Sequence, residues 1–528
     1  MRFFALSVDR NSLEGGKDGD SMKRASLYGL LVLLALVLLT AAASAEPASG
    51  SGWNEEKNVY TVIGQAGWED KIVIDHNCTV DLSQASSPPT GIPILFKITG
   101  DSIQVTFKTG TEPLNLGSSR LFTVDGSSKN PTVILDAVNI TCSSNPANYT
   151  FSYPYEGPEP SVLIIQYNGE CRVPTFCFSA RKNVTTRFQP DPTNAAGSVL
   201  NIEATYLDYG IVATQTTSYS TNVELIGGKI VTDGSVRVPP SNSYKEDFDG
   251  RLRIENCNLK CKDIRARELT IDGSEVSTTQ KTDTVGIIGG ASYGANKTVG
   301  FLKIINGSTI DCAKYIAGSA SGNTLASSKT NTLEIIDSTV TCKGVLNAAA
   351  ITIQGSKVNA TDHGNNTAAI GGYFNTLSIK GSTINADASN YGSSGIGAGR
   401  FESYKSNNGT DKYSITIENS KVTATSTQGN AIGSTYNYSN NSKDPKELTI
   451  TISGNSEVTA TAVNAPAIGA VSAIGNTDPD AVIIHPGTGG GWEDGGTPGE
   501  DISPKGCSPS APCPIIRRYP AVRLRLRR

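Results

Sequence analysis

Cysteine is the residue type in this chain best equipped for chemistry, and its placement limits what that chemistry can be. Ten cysteines stand against only three histidines, His76, His363 and His485, which lie far apart. Cys257 and Cys261 form a C-x3-C pair, the nearest approach to metal-ligand spacing. A structural zinc site needs four nitrogen or sulfur ligands. No second Cys pair or His accompanies this one, so zinc is disfavoured and no metal or cofactor is implied. Cys171 and Cys177 are close enough in sequence for a loop disulfide. A second chemistry is glycan attachment. N-x-S/T sequons occur at Asn77, Asn139, Asn148, Asn183, Asn296, Asn306, Asn359, Asn365, Asn408, Asn437 and Asn440. They suit an exported glycoprotein, although a chain this rich in Asn and Thr produces many by composition alone.

The elements that position these residues follow from one phrase, read at Ile351-Thr-Ile353-Gln-Gly-Ser356-Lys-Val358-Asn-Ala360. It recurs from Leu269, Leu377 and Ile415, and in weaker form from Val133, Leu200, Val223, Leu252, Ile305, Leu333 and Leu448. Each copy alternates apolar and polar residues, turns at a Gly/Asn-Ser pair and alternates again. That pattern predicts two short strands meeting at a bend. A second signal follows most copies: Ala368-Ala-Ile-Gly-Gly372, Ser394-Gly-Ile-Gly-Ala398 and Asn430-Ala-Ile-Gly-Ser434. Ile fills an interior and the Gly permits a bend or close approach, which makes this the third strand of a coil. A phosphate-binding reading needs a following helix, and none is indicated.

Starts are separated by 17 residues between Leu252 and Leu269 and by 38 between Leu377 and Ile415. Fixed rungs with variable loops indicate a solenoid. Propeller blades are longer and more even, so the expectation is an all-β, right-handed parallel β-helix with three short strands per coil and about a dozen rungs. Aligned phrases place Cys142, Cys261, Cys312 and Cys342 where other copies hold Ala360, Ala386, Ala424 and Ala460, an inward column of small residues. Free Cys fits there as a small hydrophobe. Stacked rungs lie about 4.8 Å apart, so Cys312 and Cys342 come within disulfide range if their coils adjoin; unpaired interior thiols are the preferred reading.

The net charge of −4 gives no case for nucleic-acid binding. Met22-Lys-Arg24, the apolar run Leu27–Leu39 and Ala43-Ser-Ala45 form a secretory signal, with an uncleaved anchor as the alternative. Met22 is a candidate initiator. The expected organisation is extension and signal (1–45), N-terminal cap and first coils (46–132), repetitive β-helix (133–475), then Gly/Pro-rich linker and basic tail (476–528). The abrupt change to an Arg-rich tail after Cys507 points to a change of reading frame. Membrane contact is expected only through the N-terminal signal or a C-terminal anchor missing from the chain as read.

The pairing of I-x-I-x-G-S-x-V-x-A with A-I-G-G over Val133–Ala470 resembles the repeat of secreted prokaryotic surface proteins with a right-handed parallel β-helix, adhesin-like and pectin-lyase-like in architecture. The resemblance implies an extracellular or cell-surface structural or adhesive role, with loops that meet carbohydrate or a cell-surface protein. The alternative it implies is a polysaccharide-active enzyme, of pectin lyase or glycoside hydrolase type. Galacturonan hydrolases of this shape carry Asn-Thr-Asp, Asp-Asp, Gly-His-Gly and Arg-Ile-Lys in that order. Here Asn476-Thr-Asp478 follows the last rung, Asp362-His363-Gly364 precedes it without the first Gly, and no Asp-Asp or Arg-Ile-Lys occurs. Hydrolysis needs two carboxylates across one bond, and no catalytic residue is assigned. Lys357, Lys380 and Lys421 read as single solvated charges. Later-loop tyrosines such as Tyr373, Tyr404 and Tyr436 read as loop packing more readily than as sugar platforms.

Overall fold

The computed structural model of the protein describes residues 51–470, apart from 69–71, 126, 143–150, 153–159, 181–183, 205–207, 216–220, 239–249, 281–284, 291–299, 319–330, 363–367, 373, 390–393, 399–411, 428, 435–446 and 464–466, and beyond them 482–486 and 522–525. The signal segment, most of the expected linker and most of the tail lie outside the described residues.

The chain is a parallel β-helix of three-stranded coils. In one coil Ala350–Gln354 runs along a first sheet, Lys357–Asp362 along a second and Ala368–Gly372 along a third. The next coil repeats the set as Thr376–Lys380, Thr383–Ala388 and Ser394–Ala398, paired in parallel and in register. Such pairing puts like residues of successive coils side by side. Leu269, Leu302, Leu333, Ile351, Leu377 and Ile415 thus form one buried column of the first sheet. Val276, Ile310, Val340, Val358, Ile384 and Val422 form the matching column of the second. Polar residues alternate outward, which is the physical reason for the period of two in the phrase.

Several coils precede the expected start of the repeat. Among the described residues the first sheet holds sixteen parallel strands from Val59–Gly64 to Val482–Pro486, and one antiparallel strand, Gly52–Asn54, lies at its N-terminal edge. The early core is aromatic, with Phe96, Phe107 and Phe122 in sequence and ring centroids 5.4 and 5.6 Å apart. At the other end Val522–Arg525 pairs antiparallel with Glu457–Ala462.

Several details of the sequence alignment change. Around Ile305 it is Leu302 that stands beside Leu269 and Leu333, and Val133 falls in the column of Leu225 and Ile254 rather than that of Leu252. Leu200 does not start a first strand: Val199–Glu203 belongs to the second sheet, with Leu200 beside Ile230. The alternation is the same on either sheet, so the pattern alone does not separate them. In the Leu448 copy, Ile450 rather than Leu448 stands beside Ile415. Cys142 lies two residues beyond the small-residue column, because the Asn139–Arg172 bridge places Ile140 there; Cys142 is half-buried.

The bend of the phrase is a hydrogen-bonded seam. Its Ser is buried in Ser274, Ser308, Ser338, Ser356, Ser382, Ser420 and Ser456. The Ser356 N–H donates to Ser382 Oγ (3.2 Å), and the Ser382 N–H donates to Ser420 Oγ (3.1 Å). Each hydroxyl in turn donates within its own bend, as Ser382 does to the Lys380 carbonyl (2.8 Å). Serine suits the position because a buried corner N–H needs an acceptor one coil away. The preceding residue is left-handed, with φ +59° at Gly355, +57° at Gly381 and +49° at both Asp337 and Asn419. The third strand ends differently. Gly371, Gly397 and Gly433 have φ of +121°, +146° and +144°, and a Cβ on Gly397 would collide with the carbonyl of Gly433.

Two stability outcomes follow. Gly397→Ala combines that collision with a backbone region nearly closed to L-residues, and is expected to destabilise by about 3 kcal/mol or more. Ser382→Ala strands the buried Ser356 N–H and is expected to cost about 1–3 kcal/mol. Urea unfolding followed by circular dichroism measures both. An alanine at 397 that leaves the midpoint unchanged would refute the close-approach account of the glycine stack.

Candidate functional site

Cysteine chemistry is the first possibility, and the structure closes most of it. Cys261, Thr278, Cys312, Cys342, Ala360, Ala386 and Ala424 follow one another down the second sheet's inner corner column, with Cys342 beside Ala360. Cys312 follows Asp311, which pairs with Thr341, so the Cys312 and Cys342 coils adjoin. None of the described cysteines is in a disulfide. Cys171 and Cys177 are not bridged either: Cys171 lies on the second sheet and Cys177 on the third, both buried. Their nearness in sequence spans a corner of the coil rather than a loop. Burial pushes the Cys257 thiol up to about 12 and the Cys171 thiol to about 11, and it holds Cys261 and Cys342 well above the ordinary value of 9.0. A thiol held protonated is a poor nucleophile and a poor metal ligand. Among the described residues no three His, Cys, Asp or Glu side chains converge.

Charge was harder to read. Lys380 and Lys421 are not single charges: they reach Glu418 (3.3 Å) and Glu457 (3.6 Å) of the following coil. Lys303–Glu334 and Arg251–Glu268 repeat the arrangement, so ion pairs cross the coils where opposite charges fall in register. Exposed pairs of this kind contribute about 0–1 kcal/mol each. One acid is fully buried. Asp263 accepts Ser235 Oγ (2.7 Å), Arg237 Nε and Nη2 (3.3 and 3.2 Å) and Arg265 Nε (3.2 Å), while Arg237 stacks over Tyr209 at 5.0 Å. Four donors on one carboxylate make it a corner fastening rather than an acid or base for catalysis. No local pattern marks this cluster, because its members are adjacent only once the coils stack.

A shallow cavity of about 240 Å³ opens at the serine corner. Asp337, Thr339, Lys357 and Thr383 stand around it, with Gly355 and Gly381 leaving its floor bare. Thr339, Lys357 and Thr383 are in-register neighbours at the start of the second strand. The cavity holds one carboxylate rather than the pair that glycoside hydrolysis requires. An alignment of bends shows Asp337 as the acid where most other copies carry Gly or Asn.

His76 is exposed. Its Nδ1 lies 2.7 Å from Asp75, a hydrogen bond that lowers the Asp75 pKa, and its ring packs at 4.9 Å against Trp53. His485 lies in the last strand of the first sheet, and His363 is outside the described residues. So is Asn476-Thr-Asp478, and Asp362 ends a second-sheet strand.

Of the sequons, Asn77 and Asn306 are exposed. The Asn77 carbonyl oxygen accepts the Gln104 N–H, leaving its amide nitrogen outward, while Asn306 Nδ2 donates to Asp272. Asn359 accepts a hydrogen bond from Asn385 across the coils (2.8 Å). Asn139 Nδ2 donates to the Thr111 carbonyl (3.0 Å), with its oxygen buried. Asn148, Asn183, Asn296, Asn365, Asn408, Asn437 and Asn440 fall outside the described residues, as do Tyr373, Tyr404 and Tyr436. Among the described residues no helix is long and apolar enough to cross a membrane.

No protein family, curated protein or solved structure matches the chain.

The thiols supply a pH test. Cys257 has a folded pKa raised above the unfolded value, so its contribution to stability is complete below about pH 9 and is lost as pH rises toward 12. A falling urea midpoint between pH 9 and 11 is expected, less steep in Cys257→Ser. At pH 8 a thiol reagent should leave Cys257, Cys261, Cys312 and Cys342 unlabelled until denaturant is added; rapid labelling of the native protein would contradict their interior placement.

Proposed function

We propose that the protein is an exported cell-surface structural or adhesive module, a stiff rod whose loops and outer faces bind carbohydrate or protein partners. One observation carries this reading. The bends between first and second strands keep two or three residues throughout the later coils, as at Gly355-Ser356, Gly381-Ser382 and Asn419-Ser420. The joins from third strand to next first strand vary from one residue at Arg267 to fourteen at 318–331. Length variation confined to particular corners of a fixed scaffold suits display, where loops diversify without disturbing the coils.

The outer faces fit the same role. Along the second sheet Thr341, Asn359, Asn385, Thr423 and Thr459 stand in one outward row, and sheet spacing sets such neighbours about 4.8 Å apart. Sixteen strands at that spacing give a rod about 70 Å long. An exported position is supported by Met22-Lys-Arg24, Leu27–Leu39 and Ala43-Ser-Ala45.

The test pairs binding with turnover. The purified rod is applied to a glycan array and to intact cells, and in parallel to pectins and neutral polysaccharides with reducing-sugar and unsaturated-product readouts. Saturable binding with no new chain ends is the expected outcome. Release of either product from any polymer would replace the display role with an enzymatic one.

A further inference from the structure

We infer that the corner cavity around Asp337 is a binding site for a single neutral sugar ring, taken by its hydroxyl groups. The inference rests on the carbohydrate arm of the proposed function and gives that arm a location.

The corner is formed by left-handed residues stacked coil on coil; Asn306 pairs back to Asp272 of the preceding coil, while others lean forward. Asn256 leans over Gly273 of the next coil, and Asn419 leans over Gly454. Asn419 also accepts the Asn455 N–H at 2.9 Å, so its amide serves the fold. Asp337 leans in the same way over Gly355, but its carboxylate accepts no hydrogen bond among the described residues. An amide would satisfy the corner as well as an acid does, so the charge is surplus to folding. Lys357, two residues past Gly355, makes no ion pair there although Lys303, Lys380 and Lys421 each do. The cavity exists because two consecutive coils, at Gly355 and Gly381, carry no side chain at this position. A Cβ on Gly381 would meet nothing within 4 Å.

The chemistry of the rim selects the ligand. A carboxylate only accepts, an ammonium only donates, and the Thr339 and Thr383 hydroxyls do both. A neutral sugar offers adjacent hydroxyls that each donate and accept, matching all three without adding net charge. At about 240 Å³ the cavity is smaller than the roughly 300 Å³ at which pockets for larger ligands begin. It therefore takes one ring, at a chain end or branch.

Gly381→Asn is the decisive variant. It fills the cavity in a conformation Asn already adopts at Asn256 (+48°), Asn306 (+57°) and Asn419 (+49°), so the fold should survive. Asp337→Asn removes the acceptor charge while keeping the corner. The full chain is screened by saturation-transfer NMR against neutral di- and trisaccharides of glucose, galactose, mannose and N-acetylglucosamine, with affinities by titration calorimetry. At least tenfold weaker binding in both variants, with unchanged thermal unfolding, is expected. Equal binding by wild type and Gly381→Asn overturns the cavity assignment and leaves the carbohydrate role standing. A wild-type protein that binds none of these sugars overturns the carbohydrate role and the cavity with it.

Discussion

Register between coils is the constraint on which everything else in this protein depends. A coil has no hydrophobic centre of its own: its inward Ile, Leu and Val gain their burial from the coils above and below. The backbone of each strand likewise finds its partners one coil away. A slip of one residue would turn Leu377 and Ile379 outward and Ser378 inward, and would do so for the whole strand. The register is held at corners. The serine seam joins successive bends through N–H to hydroxyl bonds, and the glycine stack at Gly371, Gly397 and Gly433 lets backbones approach where no Cβ fits. A coil fixed at both of these points leaves the strands between them little freedom to shift.

The same constraint explains which parts of the chain could be read from its sequence. Ile351 to Ala360 is legible because both strands alternate and the bend needs a left-handed residue followed by Ser. The third strand was legible for another reason. Ala368-Ala-Ile-Gly-Gly372 is buried along its whole length, which removes polar residues and leaves a short apolar run. Where neither feature is present the reading fails. Leu200 reads as a first-strand residue although it lies on the second sheet, because alternation is common to both strands and no Gly-Ser bend follows it. Cys142 was misplaced for a related reason: Ala137 and Val138 occupy its bend, so the count from bend to column had no anchor.

Charges illustrate a different limit. Lys380 and Glu418 are 38 residues apart, and nothing local indicates that one coil separates them. Asp263 with Ser235, Arg237 and Arg265 spans two coils in the same way. A solenoid converts large sequence separations into a uniform spacing of about 4.8 Å. Side-chain partnerships can therefore be read only after the coils have been counted correctly, including coils with long joins between third and first strands.

This conversion also bears on where function can reside. Inward positions serve packing: in the cysteine column Thr278, Cys312, Cys342 and Ala360 succeed one another because each is small, and burial keeps the thiols protonated. Outward strand positions are repetitive, and several of their charges pair between coils. What remains free to differ is the joins and the corner residues. At the serine corner the fold requires only a left-handed backbone, a demand that Gly, Asn and Asp all meet. Asp337 and the two bare glycines beyond it satisfy that demand while altering the chemistry of the surface. A single corner can thus acquire a recognition site at almost no cost to register, which is why variation there carries more functional information than variation in any strand.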